Sequence, residues 1–222
     1  MQAKTIKVVS LRTGKPREAM YRGKEVATAI FKEPVSGPVF LSSHNLAGDE
    51  QADKVNHGGL DKAVCVYSLD RYPYFGKVLG RRLDGGAFGE NVTVSGLDEE
   101  GVCIGDVFQW GEALVQVSQP RKPCFKVALK LDLPDLPLQM EQTGYTGFYL
   151  RVLKEGWVAP DSELKLQQRH PKAVTIAFVN HARYHDKKNG EAIRRILEVD
   201  ELAESWRTVF EKRLSQWEEE EA

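Results

Sequence analysis

The hydrophobic period of this chain changes once, near residues 166–172, and that change limits the folds open to it. Upstream, short apolar runs recur between glycines and prolines: Lys4–Leu11, Thr28–Lys32, Val39–Leu41, Val64–Ser68, Val92–Val94, Val107–Trp110 and Ala113–Ser118. They are rich in β-branched and aromatic residues and bounded by turn formers, which is the pattern of strands. Trp110-Gly111-Glu112-Ala113 predicts a tight hairpin between the last two runs. Many short strands with no long helix between them predict a mainly β domain, a strongly bent barrel that is closed or nearly so. One short helix is expected over Leu69–Leu79, with Tyr72, Phe75 and Leu79 on one face and Pro73 in the first turn.

After His170-Pro171 the period becomes helical. Helices are predicted over Thr175–His185, Glu191–Val199 and Glu201–Trp217; in the last, Leu202, Trp206, Val209, Phe210, Arg213 and Leu214 form a stripe behind an Asp200 N-cap. Residues 1–168 are thus expected to form the barrel and 169–222 a small three-helix extension. An extension of that size cannot build a core of its own, so it should pack on the barrel or on a partner subunit.

Charge narrows the function classes. With 31 basic and 32 acidic residues in 222, the net charge is −1, and nothing biases the whole chain toward nucleic acid or a membrane surface. The first residues lack the basic and apolar regions of a signal peptide, and no apolar stretch reaches bilayer-spanning length. A soluble, cytoplasmic protein is the expectation. The three cysteines form no CxxC, which supports neither a disulfide framework nor a zinc knuckle.

Two of those cysteines, Cys65 in Val64-Cys65-Val66 and Cys103 in Val102-Cys103-Ile104, lie in apolar runs and read as core. Cys124 is different. It ends Gln119-Pro120-Arg121-Lys122-Pro123-Cys124, where two prolines stiffen the chain and two cations favour the thiolate, the form that acts as nucleophile or metal ligand. An exposed structural cysteine in a turn is the plainer alternative.

Polar, glycine-bearing segments accompany it. Asn56-His57-Gly58-Gly59-Leu60-Asp61-Lys62 runs into the Val64 strand, with donors on either side of two glycines that permit close backbone approach. Gly85-Gly86-Ala87-Phe88-Gly89-Glu90-Asn91 offers backbone donors beside a carboxylate and an amide, and Thr143-Gly144-Tyr145-Thr146-Gly147-Phe148-Tyr149 leads into a further strand. Each alone reads equally as an ordinary turn. Dinucleotide, P-loop and GxSxG hydrolase patterns are absent. His181 and His185 stand four apart in a predicted helix, but with Arg183 between them and no adjacent glutamate they read as a solvated face.

Taken in order, these segments resemble the MOSC domain, named for the C-terminal part of molybdenum-cofactor sulfurases. The resemblance is carried by His57-Gly58-Gly59 with Asp61 and Lys62, Phe88-Gly89-Glu90-Asn91, Ile104-Gly105-Asp106, Val117-Ser118-Gln119-Pro120-Arg121 with Pro123-Cys124, and Gly147-Phe148-Tyr149 with Arg151. It spans roughly residues 25–166, and with the helical tail the whole chain is similar to the stand-alone type of the family that carries such an extension.

The resemblance implies a bent barrel holding the molybdenum cofactor, with Cys124 as catalytic residue and thiolate ligand to molybdenum. Thiolate is a soft ligand suited to a sulfur-rich metal centre. Lys32, His57, Gly58, Gly59, Lys62, Asn91 and Arg121 are the expected cofactor-binding residues, chiefly for its phosphate. It also implies reduction of N-hydroxylated compounds, such as hydroxylaminopurine-type base analogues and amidoximes, to the amine. Because the chain has no flavin, nicotinamide or iron–sulfur motif, an external reductase or ferredoxin-like partner would supply electrons. Two other classes stay open: a sulfur carrier with a persulfide on Cys124, and a binding module for a small anion.

Overall fold

A computed structural model describes residues 6–53 and 58–221. Its centre is an eight-stranded sheet built from β1 (Lys7–Thr13), β4 (Glu33–Pro34), β6 (Val64–Ser68), β7 (Val92–Ser95), β8 (Val107–Trp110), β9 (Ala113–Pro120), β10 (Phe148–Lys154) and β12 (Leu164–Gln168). The order is β12-β8-β9-β10-β6-β7-β1-β4, with β6 and β7 parallel and the other neighbours antiparallel. Register shifts break the β1–β7, β9–β10 and β8–β12 ladders. Each bulge adds local bend to the ordinary twist, and the sheet curls into a half-barrel. Two small ribbons flank it: β2 (Arg17–Tyr21) with β3 (Lys24–Thr28), and β5 (Val39–Leu41) with β11 (Gly156–Val158).

Strand faces sort the interior. In β6, Val64 and Val66 enter the barrel core with Trp110, Phe108, Val115, Val117, Phe148 and Leu150. The alternate residues Cys65 and Tyr67 face the other way, as a period of two requires. On that face Tyr67 joins a second cluster with Tyr72, Phe75, Phe88, Val127, Leu131, Leu136 and Met140. These come from three short helices, α1 (Tyr72–Leu79), α2 (Phe125–Leu131) and α3 (Leu136–Thr143), and from the glycine-rich loop before β7.

The tail is α4 (Ile176–Tyr184), α5 (Gly190–Leu197) and α6 (Glu204–Glu221). Thr175 and Asn189 cap the first two by accepting from the Phe178 and Ala192 amides. The last helix starts at Glu204 rather than Glu201, because the Trp206 and Arg207 amides turn back to the Ala203 carbonyl, and Asp200 lies outside it. Val179, Ile193, Ile196, Trp206 and Phe210 belong to the barrel's own hydrophobic cluster, so the extension docks on the barrel. The Ile104 amide bonds the Val174 carbonyl and the Ala203 amide bonds the Ser118 carbonyl across that junction. Among the described residues no helix is long and apolar enough to cross a membrane.

Three local expectations change. The strand expected over Thr28–Lys32 ends at Thr28, as the second arm of a hairpin whose Arg22-Gly23 turn has φ of 50° and 77°. Lys32 instead sits just before the short edge strand β4. Helix α2 arises directly after Cys124 and α3 follows it from Leu136, where no element was expected.

Candidate functional site

Cys124 is the N-cap residue of α2, with extended backbone (φ −132°, ψ 165°) and no capping bond from its side chain. The residues before it leave the sheet at Pro120, with the Arg121 amide still bonded to the Gly147 carbonyl. The half-buried sulfur therefore stands where strand passes to helix, on the face opposite the barrel core. It borders a cleft that is partly open to solvent.

The cleft's floor is Cys65 and Tyr149. They are direct cross-strand partners in the β6–β10 ladder, so their side chains share a face. This corrects the reading of Cys65 as plain core: it is buried, but it faces the cleft rather than the barrel. Burial pushes its thiol pKa up, against the opposing effect of Arg121. Cys103 is core as expected, 2% exposed.

Arg121 gives the cleft its charge. It is 6% exposed, its Nη2 donates to the Phe88 carbonyl at 2.7 Å, and its Nη1 is buried with no hydrogen-bond partner. It forms no ion pair among the described residues. Burial works against its charge, but Cys65, Tyr149, Cys124 and Glu90 more than offset that and raise its pKa. A guanidinium stays charged at any working pH. A buried cation with an unpartnered donor beside a cleft suits a negatively charged ligand.

The Phe88-Gly89-Glu90-Asn91 loop holds that cation in place. Glu90 is fully buried and accepts from the Gly86 and Phe88 amides, each at 3.0 Å, from Thr93 Oγ1 at 2.8 Å, and from the Tyr72 hydroxyl. These bonds fold the loop so that the Phe88 carbonyl points at Arg121. Gly89 has φ 79°, and a Cβ there would lie 2.3 Å from Ile30 Cγ1, so only glycine lets the Ile30 wall close on the loop. Lys130 of α2 ties the same pieces together, donating to the Gly86 carbonyl at 2.6 Å and the Ile30 carbonyl at 3.0 Å. Burial brings its pKa down to about 8.

The other expected residues divide. Lys32 lines the cleft, but its ammonium is paired with Asp49, which is 2% exposed and keeps Oδ2 without a partner. Lys62 lines it too, with its pKa lowered by burial against the pull of Asp61 and Asp53. Asn91 borders the cleft, yet its Oδ1 accepts from the Cys65 amide at 3.1 Å and its Nδ2 donates to the Arg12 carbonyl at 3.2 Å. It fixes the backbone of β6 instead of offering a free donor. Gly58 and Gly59 are not among the described residues lining the cleft; Gly59, at φ 100°, opens the short turn that carries Lys62. His57 lies outside the described residues. Asp61 pairs with Arg151 at 2.7 Å, a structural bond between that turn and β10.

Sequence reasoning did not single out Cys65, Asp49, Lys126 or Tyr149 as site residues. Lys122 and Lys126 extend the cation set at the cleft's mouth. His181 and His185 stack at 5.6 Å beside a second cleft that also contains Arg71 and Tyr145, and no group of three metal-ligating residues occurs among the described residues.

The MOSC domain family matches residues 53–165. The chain belongs to that family, whose domains bind the molybdenum cofactor. Residues 174–216 match the YiiM-like 3-alpha helix domain. YflK of Bacillus subtilis is 52% identical over 213 residues, covering 96% of each chain. The crystal structure of YiiM from Geobacillus stearothermophilus superposes with a TM-score of 0.80 at 42% identity, over 94% of this chain and 99% of that one. A protein of Gibberella moniliformis called a reductase is 35% identical over 170 residues, 74% of this chain but 30% of its own length. Relatives and fold thus agree with the curled β domain and helical extension expected from the sequence.

Proposed function

We propose that this chain is a molybdenum-cofactor-dependent reductase of N-hydroxylated compounds, converting N–OH to N–H with electrons from an external donor. One observation carries the reading: Cys124 shares a cleft with Arg121, a buried cation whose Nη1 has no partner. A thiol alone would serve many chemistries, and an anion site alone would serve more. Their combination fits a ligand that is both a phosphate ester and a soft metal centre.

The donor set suits the cofactor. Cys124 would ligate molybdenum, and Arg121 with Lys62, Lys122 and Lys126 would hold the phosphate. Lys32, fixed by Asp49, adds a cation to the opposite wall. When bound, the cofactor supplies the two-electron redox chemistry and the site that accepts oxygen. The protein's own part is to orient it. Arg121 is held by the Phe88 carbonyl and needs little reorganisation when an anion arrives. The apolar wall of Ala29 and Ile30 limits water at one side of the cleft.

The Gibberella reductase supports an arrangement in which electrons come from elsewhere. Its matching part is under a third of its length, leaving ample chain for other modules. In the present protein that role would fall to a separate flavin or iron–sulfur protein.

The test is reduction of benzamidoxime and 6-N-hydroxylaminopurine by cofactor-loaded protein, with chemically reduced viologen as donor. Turnover to the amine is expected and should be absent in Cys124→Ala. A wild type that reduces neither compound but carries cyanide-labile sulfur on Cys124 would replace this reading with the sulfur-carrier one.

A further inference from the structure

Four acidic side chains are buried among the described residues: Asp49, Glu90, Glu99 and Asp106. Three of them use both oxygens on protein donors. Glu90 takes two amides and two hydroxyls. Glu99 takes the Gly147 amide on one oxygen and Arg71 Nε on the other, and Asp106 takes the His170 amide on one and the Cys103 amide with Arg169 on the other. Asp49 is the exception. Its Oδ1 accepts from both the Lys32 ammonium and the Gly14 amide, the latter at 2.8 Å, while its buried Oδ2 has no partner. It is also the one member of the four that lines the Cys124 cleft. A carboxylate can accept about four hydrogen bonds, and a buried oxygen left bare costs stability.

The chain around Asp49 is fixed. Its amide donates to the Leu46 carbonyl and the Glu50 amide to the Gly14 carbonyl, each at 2.9 Å, while Asn45 Nδ2 donates to the Asp49 carbonyl at 2.8 Å. These bonds hold Oδ1 against Lys32 and Gly14 and leave Oδ2 for a donor that the protein itself does not supply.

We propose that Asp49 is a specificity-determining residue, whose Oδ2 accepts a hydrogen bond from an N–H on the carbon that bears the N–OH group. The inference rests on the reductase reading and narrows its substrates to the amidoxime type. An amidoxime, R–C(NH2)=N–OH, carries that N–H on its amino group. A hydroxylaminopurine in its imino form carries the same unit, as a ring N–H beside C=N–OH. An aldoxime, R–CH=N–OH, has the N–OH without the N–H. Other cleft groups do not compete for the role. Arg121 and the lysines are donors only, and Asn91 has both side-chain atoms bonded to backbone. Glu50 lines the cleft too, but it is exposed and solvated, so a ligand's N–H gains less there.

Asp49→Asn keeps the shape of the side chain. Lys32 and the Gly14 amide are both donors and hold the asparagine carbonyl, so its Nδ2 takes the place of Oδ2 and presents a donor instead of an acceptor. Binding is read by calorimetry with benzamidoxime and benzaldoxime, on oxidised, cofactor-loaded protein that cannot turn over. Wild type should prefer benzamidoxime roughly ten- to a hundredfold, the size of one hydrogen bond to a charged acceptor. In Asp49→Asn the preference should fall to parity or below, with molybdenum and pterin content unchanged. Its kcat/KM for benzamidoxime, with reduced viologen as donor, should fall by the same factor. Near parity in wild type, or an unchanged preference in folded Asp49→Asn, overturns the inference and leaves the reductase reading intact; if the variant does not fold, the wild-type ratio alone decides. Loss of molybdenum or pterin from folded Asp49→Asn gives the oxygen to the cofactor and overturns it as well. Absence of reduction in wild type overturns both.

Discussion

Replacing Arg121 with methionine should cost the ligand-free protein at most one hydrogen bond and abolish its response to anions. The ledger is short. The substitution loses one charge-assisted hydrogen bond, Nη2 to the Phe88 carbonyl at 2.7 Å, worth about 1.5–3 kcal/mol. It also removes a charge that is 6% exposed, has no ion-pair partner among the described residues and leaves Nη1 orphaned. The surroundings more than offset the burial of that charge, so its removal brings little relief, although methionine adapts to the slot. The net should be a loss of no more than about 1.5–3 kcal/mol. Inorganic pyrophosphate at about 100 times its Kd should stabilise wild type by about 2.7 kcal/mol. For a chain of this length that raises Tm by roughly 6–10 °C. Arg121→Met should show almost none of that rise. The assays are urea unfolding followed by tryptophan fluorescence, and thermal melts with and without pyrophosphate. A variant that loses more than about 3 kcal/mol without ligand, yet keeps the pyrophosphate shift, would refute the argument and make Arg121 a structural residue.

Other substitutions probe the scaffold. Gly89→Ala puts a Cβ 2.3 Å from Ile30 Cγ1 at a φ of 79°, so urea unfolding should show a loss of about 2–4 kcal/mol; a loss below about 0.5 would mean the loop relaxes freely. Lys130 has its pKa depressed to about 8 in the folded state against 10.5 unfolded, so the folded state binds fewer protons between those values and stability rises with pH across that window. Wild type should therefore gain on the order of 3 kcal/mol relative to Lys130→Met from pH 8 to 10.5, read from paired denaturation curves; a flat difference contradicts the burial argument. Trp206→Ala, at 3% exposure in the shared core, should cost about 3–5 kcal/mol in one cooperative transition, whereas an early melt of the tail alone would show that extension and barrel are uncoupled.

The parts of the fold that could be read from the sequence are those where local pattern and tertiary role coincide. Val64–Ser68 and Val107–Trp110 are strands at their expected limits, and the Gly111-Glu112 hairpin joins β8 to β9 as expected. Cys65 shows where pattern runs out. Every residue of β6 is buried, so alternation carries no signal for which face meets the core and which meets a cleft. Helix α2 has seven residues, too few for a helical period to stand out, and its stability comes from packing Val127 and Leu131 against α1 and the glycine-rich loop. Asn91 and Glu90 carry polar atoms in a motif that reads as ligand-binding, yet nearly all their bonding capacity is spent on backbone. Such residues build the site from behind. The Lys32–Asp49 pair joins segments separated by seventeen positions, which composition cannot reveal.

The central claim is that the Cys124 sulfur binds molybdenum, and X-ray absorption at the molybdenum edge reads it without substrate or donor. Cofactor-loaded wild type should show one more sulfur in the metal's first shell than Cys124→Ser prepared from the same host. Equal sulfur counts in two molybdenum-containing samples, or no molybdenum in the wild type, would contradict it.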